Sequence, residues 1–185
     1  MLTIASLYRE TISQFGYSRV FAEGPVRLMA TVGAKLRGAG LIIGVEAVPR
    51  RQDLARLYGA DVIADFSKED VVQRILDLTE GQGVDTAIEV TKAGGTISNV
   101  GYHGHGEFVP IPRVEGGVGM AEKTITTGLC PGGRLRMERL LRVLEMKRVD
   151  PTLMTTHTFP FDEMASAFEI MDKKLDGVLK PLIVF

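Results

Sequence analysis

Two apolar runs of strand length lie too close together in the middle of the chain for the usual connection between parallel strands. They are residues 84–90 (VDTAIEV) and 96–100 (TISNV), and only five residues separate them. A parallel return requires a crossover of roughly a dozen residues, usually a helix. A five-residue link spans at most about 18 Å, which is about the length of one strand. The two runs are therefore predicted to pair antiparallel, or one of them is not a strand.

Elsewhere, apolar stretches of strand length alternate with amphipathic stretches of helix length. This alternation is typical of an α/β fold, in which helices cover a mostly parallel sheet. The predicted strands are residues 18–22, 41–46, 61–66, 123–129, 155–159 and 178–185. The predicted helices are residues 25–37, 52–58, 134–148 and 162–174, and a further helix, described next, lies between residues 58 and 134.

The third helix has the clearest start signal in the chain. Ser67, with Asp70 three residues later, predicts a capping box ahead of an apolar face that begins at Val71. Gly81 is predicted to end this helix. Residues 102–122 are rich in glycine and contain two prolines, so they are predicted to form an exposed connection.

The composition is that of an ordinary folded protein. The chain has 185 residues, is 45% hydrophobic and 24% charged, and has a formal net charge of -1. This charge balance argues against nucleic acid and against a membrane surface as partners. Because no apolar run approaches the roughly 20 residues of a membrane span and no secretory signal is recognisable, a cytoplasmic location is expected.

The sequence offers few candidate metal ligands. The single Cys130 excludes an intrachain disulfide and a four-cysteine metal site. His103 and His105 lie two residues apart near Glu107, but zinc requires three or four supported ligands, and the remaining His157 lies in another element. Loop histidines are therefore favoured over a metal site, and no metal-binding residue is predicted.

The first strand, turn, helix and second strand have the layout of a dinucleotide site. Glu46 follows Gly24 by about 20 residues, at the end of the second strand, where a carboxylate accepts hydrogen bonds from the adenosine ribose. A G-x-G-x-x-G pattern placed on residues 22–27 keeps only its middle glycine, Gly24, which allows pyrophosphate to approach the helix. On this turn alone, an ordinary strand-to-helix turn is as good an interpretation as a phosphate site.

Motifs along most of the chain carry a resemblance to a known family. They are Gly24-Pro25-Val26 with Leu28-Met29, and residues 33–40 (GAKLRGAG), 57–60 (LYGA), 78–85 (LTEGQGVD), 94–100 (GGTISNV), 128–136 (GLCPGGRLR), 147–150 (KRVD) and 180–181 (KP). With these motifs the chain resembles the medium-chain zinc-dependent alcohol dehydrogenases, and in particular their secondary-alcohol branch. The resemblance covers roughly residues 20–185.

This resemblance implies a domain division. Residues 20–129 would be a Rossmann-like dinucleotide-binding domain, a doubly wound and mostly parallel sheet that is incomplete because the crossover helix after the fourth strand is missing. Residues 130–185 would be a C-terminal strand-helix-strand appendage, which in the family packs on a catalytic domain. Residues 1–19 are unassigned and are far too short to contain that domain.

The resemblance also implies an activity, the NAD-dependent oxidation of alcohols by an oxidoreductase. Gly24, Pro25, Val26 and Glu46 would hold the cofactor. Where NADP-using relatives carry a Gly-Ser-Arg-Pro turn, this chain has Glu46 followed by Ala-Val-Pro, which favours NAD, although Arg50 and Arg51 keep NADP possible. The family's zinc ligands and catalytic residues match no position here. We therefore expect no catalysis by this chain alone, and a separate catalytic domain would be needed.

Two further expectations concern partners. The rival interpretation is a non-catalytic remnant that binds a nucleotide weakly or serves as an oligomerising module. In either case residues 178–185 form a strand that has lost its family partner, and the unpaired strand edges and apolar side chains there favour self-association. A homo-oligomer built through the C-terminal segment is therefore predicted.

Overall fold

Three parallel strands form the first sheet. The computed structural model describes residues 17–21, 24–79, 93–99, 122–127 and 132–185. Strands β1 (Tyr17–Phe21), β2 (Leu41–Val45) and β3 (Val62–Ala64) lie side by side in that order. Phe21 is opposite Val45, and Val45 is opposite Ala64, so the three strands end at one edge of the sheet. The predicted parallel α/β arrangement is confirmed for this part of the chain.

The two helices that follow β1 and β2 both begin with proline. These helices are α1 (Pro25–Leu36) and α2 (Pro49–Tyr58). The fixed φ of proline suits the first helical position, where its missing N–H costs nothing. Gly59 ends α2 with a left-handed φ of 112°. The predicted start of α2 at residue 52 is therefore wrong, because Pro49 already begins the helix.

The predicted capping box of the third helix is also wrong. Asp70 is itself the N-cap of α3 (Val71–Leu78), and its carboxylate accepts a hydrogen bond from the backbone N–H of Gln73. Ser67 instead donates from its backbone N–H and its hydroxyl to Asp65. Aspartate is among the strongest N-cap residues, so Asp70 needs no serine before it. The predicted stop at Gly81 lies outside the described residues.

A two-stranded sheet follows in the chain. Strand β4 (Thr96–Asn99) pairs in parallel with β5 (Thr124–Thr127), which confirms the central parts of two predicted strands. The apolar run at residues 84–90, its predicted antiparallel pairing, the missing crossover and residues 102–122 all lie outside the described residues.

The C-terminal part is strand, helix and strand, as predicted. Helix α4 (Arg134–Glu145) precedes β6 (Thr155–Pro160), α5 (Met164–Asp172) and β7 (Lys180–Val184), and β7 pairs in parallel with β6. Short 3-10 segments occupy Pro151–Met154, Phe161–Glu163 and Leu175–Gly177. None of the helices in the described ranges has the length and apolarity needed to cross a membrane.

A single buried cluster joins the first sheet's helices to the C-terminal segment. Its members from α1 and α2 include Leu28, Met29 and Tyr58, and its C-terminal members are Val149, Met154 and Leu179. The Tyr58 hydroxyl also donates a hydrogen bond of 2.8 Å to the backbone carbonyl of Asp150. Burial, followed by the charge of Asp150, raises the pKa of Tyr58 to about 12. Helix α2 is thus fixed directly to the residues after α4.

The Tyr58 hydrogen bond can be tested by removing one oxygen atom. We expect Tyr58→Phe to lower the free energy of unfolding by about 1 kcal/mol, because a typical buried hydrogen bond contributes that much. The deficit is measured by urea denaturation at neutral pH. Leu57→Ala, at an exposed neighbouring position on α2, should change stability by less than about 0.5 kcal/mol.

The raised pKa of Tyr58 adds a pH dependence to the same comparison. A phenol whose pKa is higher in the folded state contributes stability that is complete below its unfolded value of about 10 and is lost as the pH rises through the folded value. The advantage of the unmodified chain over Tyr58→Phe should therefore shrink between about pH 10 and pH 12. A constant difference over this range would contradict the burial of the hydroxyl.

Candidate functional site

The strands β1, β2 and β3 all end at one edge of the first sheet. Gly24, at the start of α1, comes three residues after the end of β1, β2 is followed by Glu46, and β3 is followed by Asp65. In an open parallel sheet, ligands bind outside the carboxyl ends of the strands. This edge is therefore where the described part of the chain is expected to bind a ligand.

Gly24 is the N-cap of α1. Its carbonyl accepts hydrogen bonds from the backbone N–H groups of Arg27 and Leu28, and its φ of -75° is open to any residue. What glycine contributes here is thus the absence of a side chain. The predicted neighbours Pro25 and Val26 form the start of the helix, whose first turn contains no acidic residue. A helix N-terminus of this kind favours a negatively charged group.

Glu46 is a buried carboxylate with one oxygen held and one left over. Its side chain is only 3% exposed. Oε1 accepts hydrogen bonds of 2.9 and 3.0 Å from the backbone N–H groups of Ala47 and Val48, whereas Oε2 has no hydrogen-bond partner. The nearest cation is Arg51, whose guanidinium lies 3.7 Å from Oε2 and whose Nε is also buried without a partner. Oε2 of Glu46 thus has an ion-pair partner but no hydrogen-bond donor, and Nε of Arg51 has no acceptor.

Gln52 and Asp65 complete this edge, and the sequence analysis missed both. The Gln52 amide donates hydrogen bonds of 2.8 Å to the backbone carbonyl of Glu46 and to Oδ2 of Asp65. Asp65 also accepts from Lys68 and Ser67, and these two bonds, with the one from Gln52, lower its pKa. Asp65 could have been found as the acid that directly follows a strand. No local signal identifies Gln52.

The arrangement fits a ligand that carries hydroxyl and phosphate groups. Buried polar atoms almost always have a hydrogen-bond partner, so the free Oε2 of Glu46 and Nε of Arg51 suit a hydroxyl, which both donates and accepts. Gly24 leaves space for a phosphate at the N-terminus of α1. Thus all four predicted cofactor-binding residues lie at this edge: Gly24, Pro25 and Val26 in one turn and Glu46 in the next.

No metal centre is found in the part of the chain that the structure describes. There, no group of three or more His, Cys, Asp or Glu side chains is arranged to hold a metal ion. His103, His105, Glu107 and Cys130 lie outside the described residues. The described residues thus do not fit zinc, and no chemical step is derived through it.

Comparisons with known proteins place this geometry in context. The sequence model of the zinc-binding dehydrogenases matches residues 25–145. The NADP-dependent isopropanol dehydrogenase of Thermoanaerobacter brockii is 48% identical over 179 residues, which cover 89% of this chain and 51% of that protein. An alcohol dehydrogenase of Cupriavidus necator is 40% identical over 174 residues, which cover 87% of this chain and 47% of that protein.

Solved structures give a similar result. The alcohol dehydrogenase TADH from Thermus sp. ATN1 matches with a TM-score of 0.84 and 27% identity, over 99% of this chain and 55% of that one. The chain therefore spans about half the length of the curated and solved relatives that it matches.

The hydrogen bonds to Asp65 predict an acid-sensitive stability. Because its pKa is lowered in the folded state, Asp65 contributes stability against unfolding. This stability is present above the unfolded pKa of about 3.9 and is lost as the pH falls toward the folded pKa. We expect Asp65→Asn to unfold at lower urea concentration than the unmodified chain at neutral pH, with the two midpoints converging in acid. The control Asp77→Asn, at an exposed position on α3, should show no such convergence. Equal midpoints at neutral pH would contradict a stabilising role for these bonds.

Proposed function

Because the chain belongs to the zinc-binding dehydrogenase family, we propose that it is the cofactor-binding half of an NAD-dependent oxidoreductase that acts on alcohols. The observation that carries this proposal is the free Oε2 of the buried Glu46 carboxylate at the end of β2. A carboxylate at this point of a dinucleotide-binding fold accepts hydrogen bonds from the adenosine ribose.

Different residues of this edge would bind different parts of the cofactor. The adenosine ribose would bind at Glu46, with the Nε–H of Arg51 as a second contact. The pyrophosphate would lie against Gly24 at the start of α1. Gln52 would position Glu46, because its amide holds the Glu46 carbonyl against Asp65. Bound NAD would supply the hydride acceptor, and these residues of the chain bind and orient it.

Two considerations bear on NAD against NADP. The relatives from Thermoanaerobacter brockii and Clostridium beijerinckii are named as NADP-dependent enzymes. In this chain Glu46 would repel a phosphate on the adenosine 2′-oxygen. The guanidinium of Arg51 lies beside Glu46 and faces its charge, so it is not a free phosphate ligand. These contacts support NAD.

The alcohol chemistry of the proposal would require more than the described residues. Because they offer no metal site, the alcohol would be bound and activated by a separate catalytic domain.

Glu46 can be tested by neutralising it at constant size. We expect Glu46→Gln to weaken NADH binding about tenfold, because losing a hydrogen bond to a charged group costs roughly 1.5 kcal/mol or more. NADPH binding should weaken less or improve, since the repulsion of the 2′-phosphate is removed. Both affinities are measured by fluorescence titration.

The control for this experiment is Asp53→Asn. It removes one negative charge from the same helix region, at a carboxylate that is 74% exposed and paired with Arg56. The ratio of the two affinities should stay that of the unmodified chain. If the unmodified chain bound neither NADH nor NADPH, the proposal would fail and the non-catalytic remnant would be favoured.

We further propose that a second copy of the chain covers one face of the β6–β7 sheet. Strand β7 pairs in parallel with β6. One face of this two-stranded sheet is exposed, and it contains Thr158 and Pro160 on β6 and Leu182 and Val184 on β7. The ring of Phe185, which is 95% exposed, lies 5.1 Å from the ring of Phe161, with the two planes tilted by 32°. Parallel sheets are ordinarily covered on both faces, so an open apolar face favours association.

This association can be measured by sedimentation equilibrium. We expect a dimer or larger assembly at micromolar concentration, which Leu182→Lys should weaken because it places a charge in the buried face. Leu57→Lys, which introduces the same charge at an exposed site on α2, should leave the assembly intact. A stable, folded monomer of the unmodified chain at high micromolar concentration would refute the proposal.

A further inference from the structure

The first turn of α2 is unusually positive for a helix start. Arg50 and Arg51 follow Pro49, and the turn contains no acidic residue. The partial positive charge of a helix N-terminus adds to that of the two arginines. Without opposing charges, this turn would attract a phosphate group. It follows directly on Glu46, where the proposed function places the adenosine ribose.

Two carboxylates from outside the helix oppose this charge. Glu46 faces Arg51 across 3.7 Å. The second is Asp176, which lies more than a hundred residues further along the chain in the 3-10 segment before β7. This segment touches the helix start, because Cδ of Arg50 lies 3.7 Å from the point that a Cβ on Gly177 would occupy. A hydrogen bond from His157 and its charge lower the pKa of Asp176, and the charge of Arg50 lowers it further.

Asp176 is held in place by a defined set of contacts. Its Oδ2 lies 3.0 Å from Nε2 of His157, whose other ring nitrogen lies 3.0 Å from the hydroxyl of Thr156. That hydroxyl in turn accepts a hydrogen bond from the backbone N–H of Leu179. Asp176 also has a left-handed φ of 48°, which non-glycine residues rarely adopt unless their surroundings impose it. The carboxylate is therefore held by His157, and the next residue, Gly177, contacts the side chain of Arg50.

Two lysines precede Asp176 closely in the chain. Lys173 is paired with Glu169 one helical turn before it. Lys174 is exposed and precedes Asp176 by two residues. The charge of Arg50 adds to the effect of His157 in lowering the pKa of Asp176.

We propose that Asp176 is a specificity-determining residue for the cofactor. Together with Glu46 it opposes the positive charge at the start of α2, so that a phosphate on the adenosine ribose is attracted there less strongly. The inference rests on the proposed function and extends it, because it assigns part of the discrimination against NADP to the C-terminal segment.

The test is a change of charge that keeps the shape. Asp176→Asn should strengthen NADPH binding about threefold, the size expected of an exposed charge pair, and leave NADH binding unchanged. Asparagine tolerates the left-handed backbone and can still bond to His157, so the fold should persist, as thermal unfolding would show. The gain should fall at high salt, because exposed charges are screened.

Two controls separate this role from a general effect of charge. Asp172→Asn removes the same charge at an exposed position four residues earlier, and should not alter the ratio of NADPH to NADH affinity. In an Arg50→Gln background, Asp176→Asn should have no effect, because the cation that it releases is gone.

The outcomes are distinguishable. An unchanged affinity ratio in Asp176→Asn, an equal change in Asp172→Asn, or a full effect in the Arg50→Gln background would each overturn the inference while NADH binding upholds the proposed function. Failure of the unmodified chain to bind NADH would overturn the proposed function and this inference with it.

Discussion

The side-chain amide of Gln52 holds together the edge on which the proposed site depends. It donates to the Glu46 carbonyl and to Asp65, so it joins the residue after β2 to the residue after β3. The backbone hydrogen bonding between these strands also extends to Glu46, because its backbone N–H donates to the carbonyl of Ala64. With its backbone fixed on both sides, Glu46 can keep a buried carboxylate oriented while one of its oxygens stays free for a ligand.

Helix α2 transmits this order to the C-terminal segment. Its first turn borders the sheet edge that is proposed to bind the cofactor. Its last residue, Tyr58, donates a hydrogen bond to Asp150 and packs with Met154 and Leu179. The C-terminal strands are therefore attached to the same helix that carries Arg50 and Arg51. Because one helix connects the two ends, the position of the turn at Asp176 relative to Arg50 depends in part on the packing around Tyr58.

The sequence predicts most of the elements and fewer of their contacts. Hydrophobic periodicity finds the strands and helices of the described residues because their buried faces repeat at regular spacing. The family resemblance is confirmed, because the sequence model of the zinc-binding dehydrogenases matches residues 25–145 and the Thermoanaerobacter brockii enzyme is 48% identical over 89% of the chain. The sequence predicts the start of α2 three residues too late, although Pro49 marks it, because the two charged residues after Pro49 do not fit an apolar helical pattern.

Contacts between distant residues could not be predicted. The Ser67 hydroxyl could accept a hydrogen bond from a backbone N–H at the start of a helix or donate one to Asp65. Only the folded turn decides for Asp65. Gln52 and Asp176 carry no local pattern at all, since their roles arise where a helix start meets a strand end and a remote turn. The positions of Gly24 and Glu46 could be predicted, because a glycine before a helix and an acid after a strand are fixed by chain order.

The carboxylates of Glu46 and Asp176 would contribute unequally to a preference for NAD over NADP. Glu46 is buried, so its repulsion of a phosphate acts at low dielectric and depends little on salt. Asp176 is 86% exposed, so its effect is screened and small. A site that combined both would have a strong fixed preference from the buried carboxylate and a weaker, adjustable one from the exposed carboxylate. Changes in the C-terminal turn could then tune the choice of cofactor without disturbing the ribose contact.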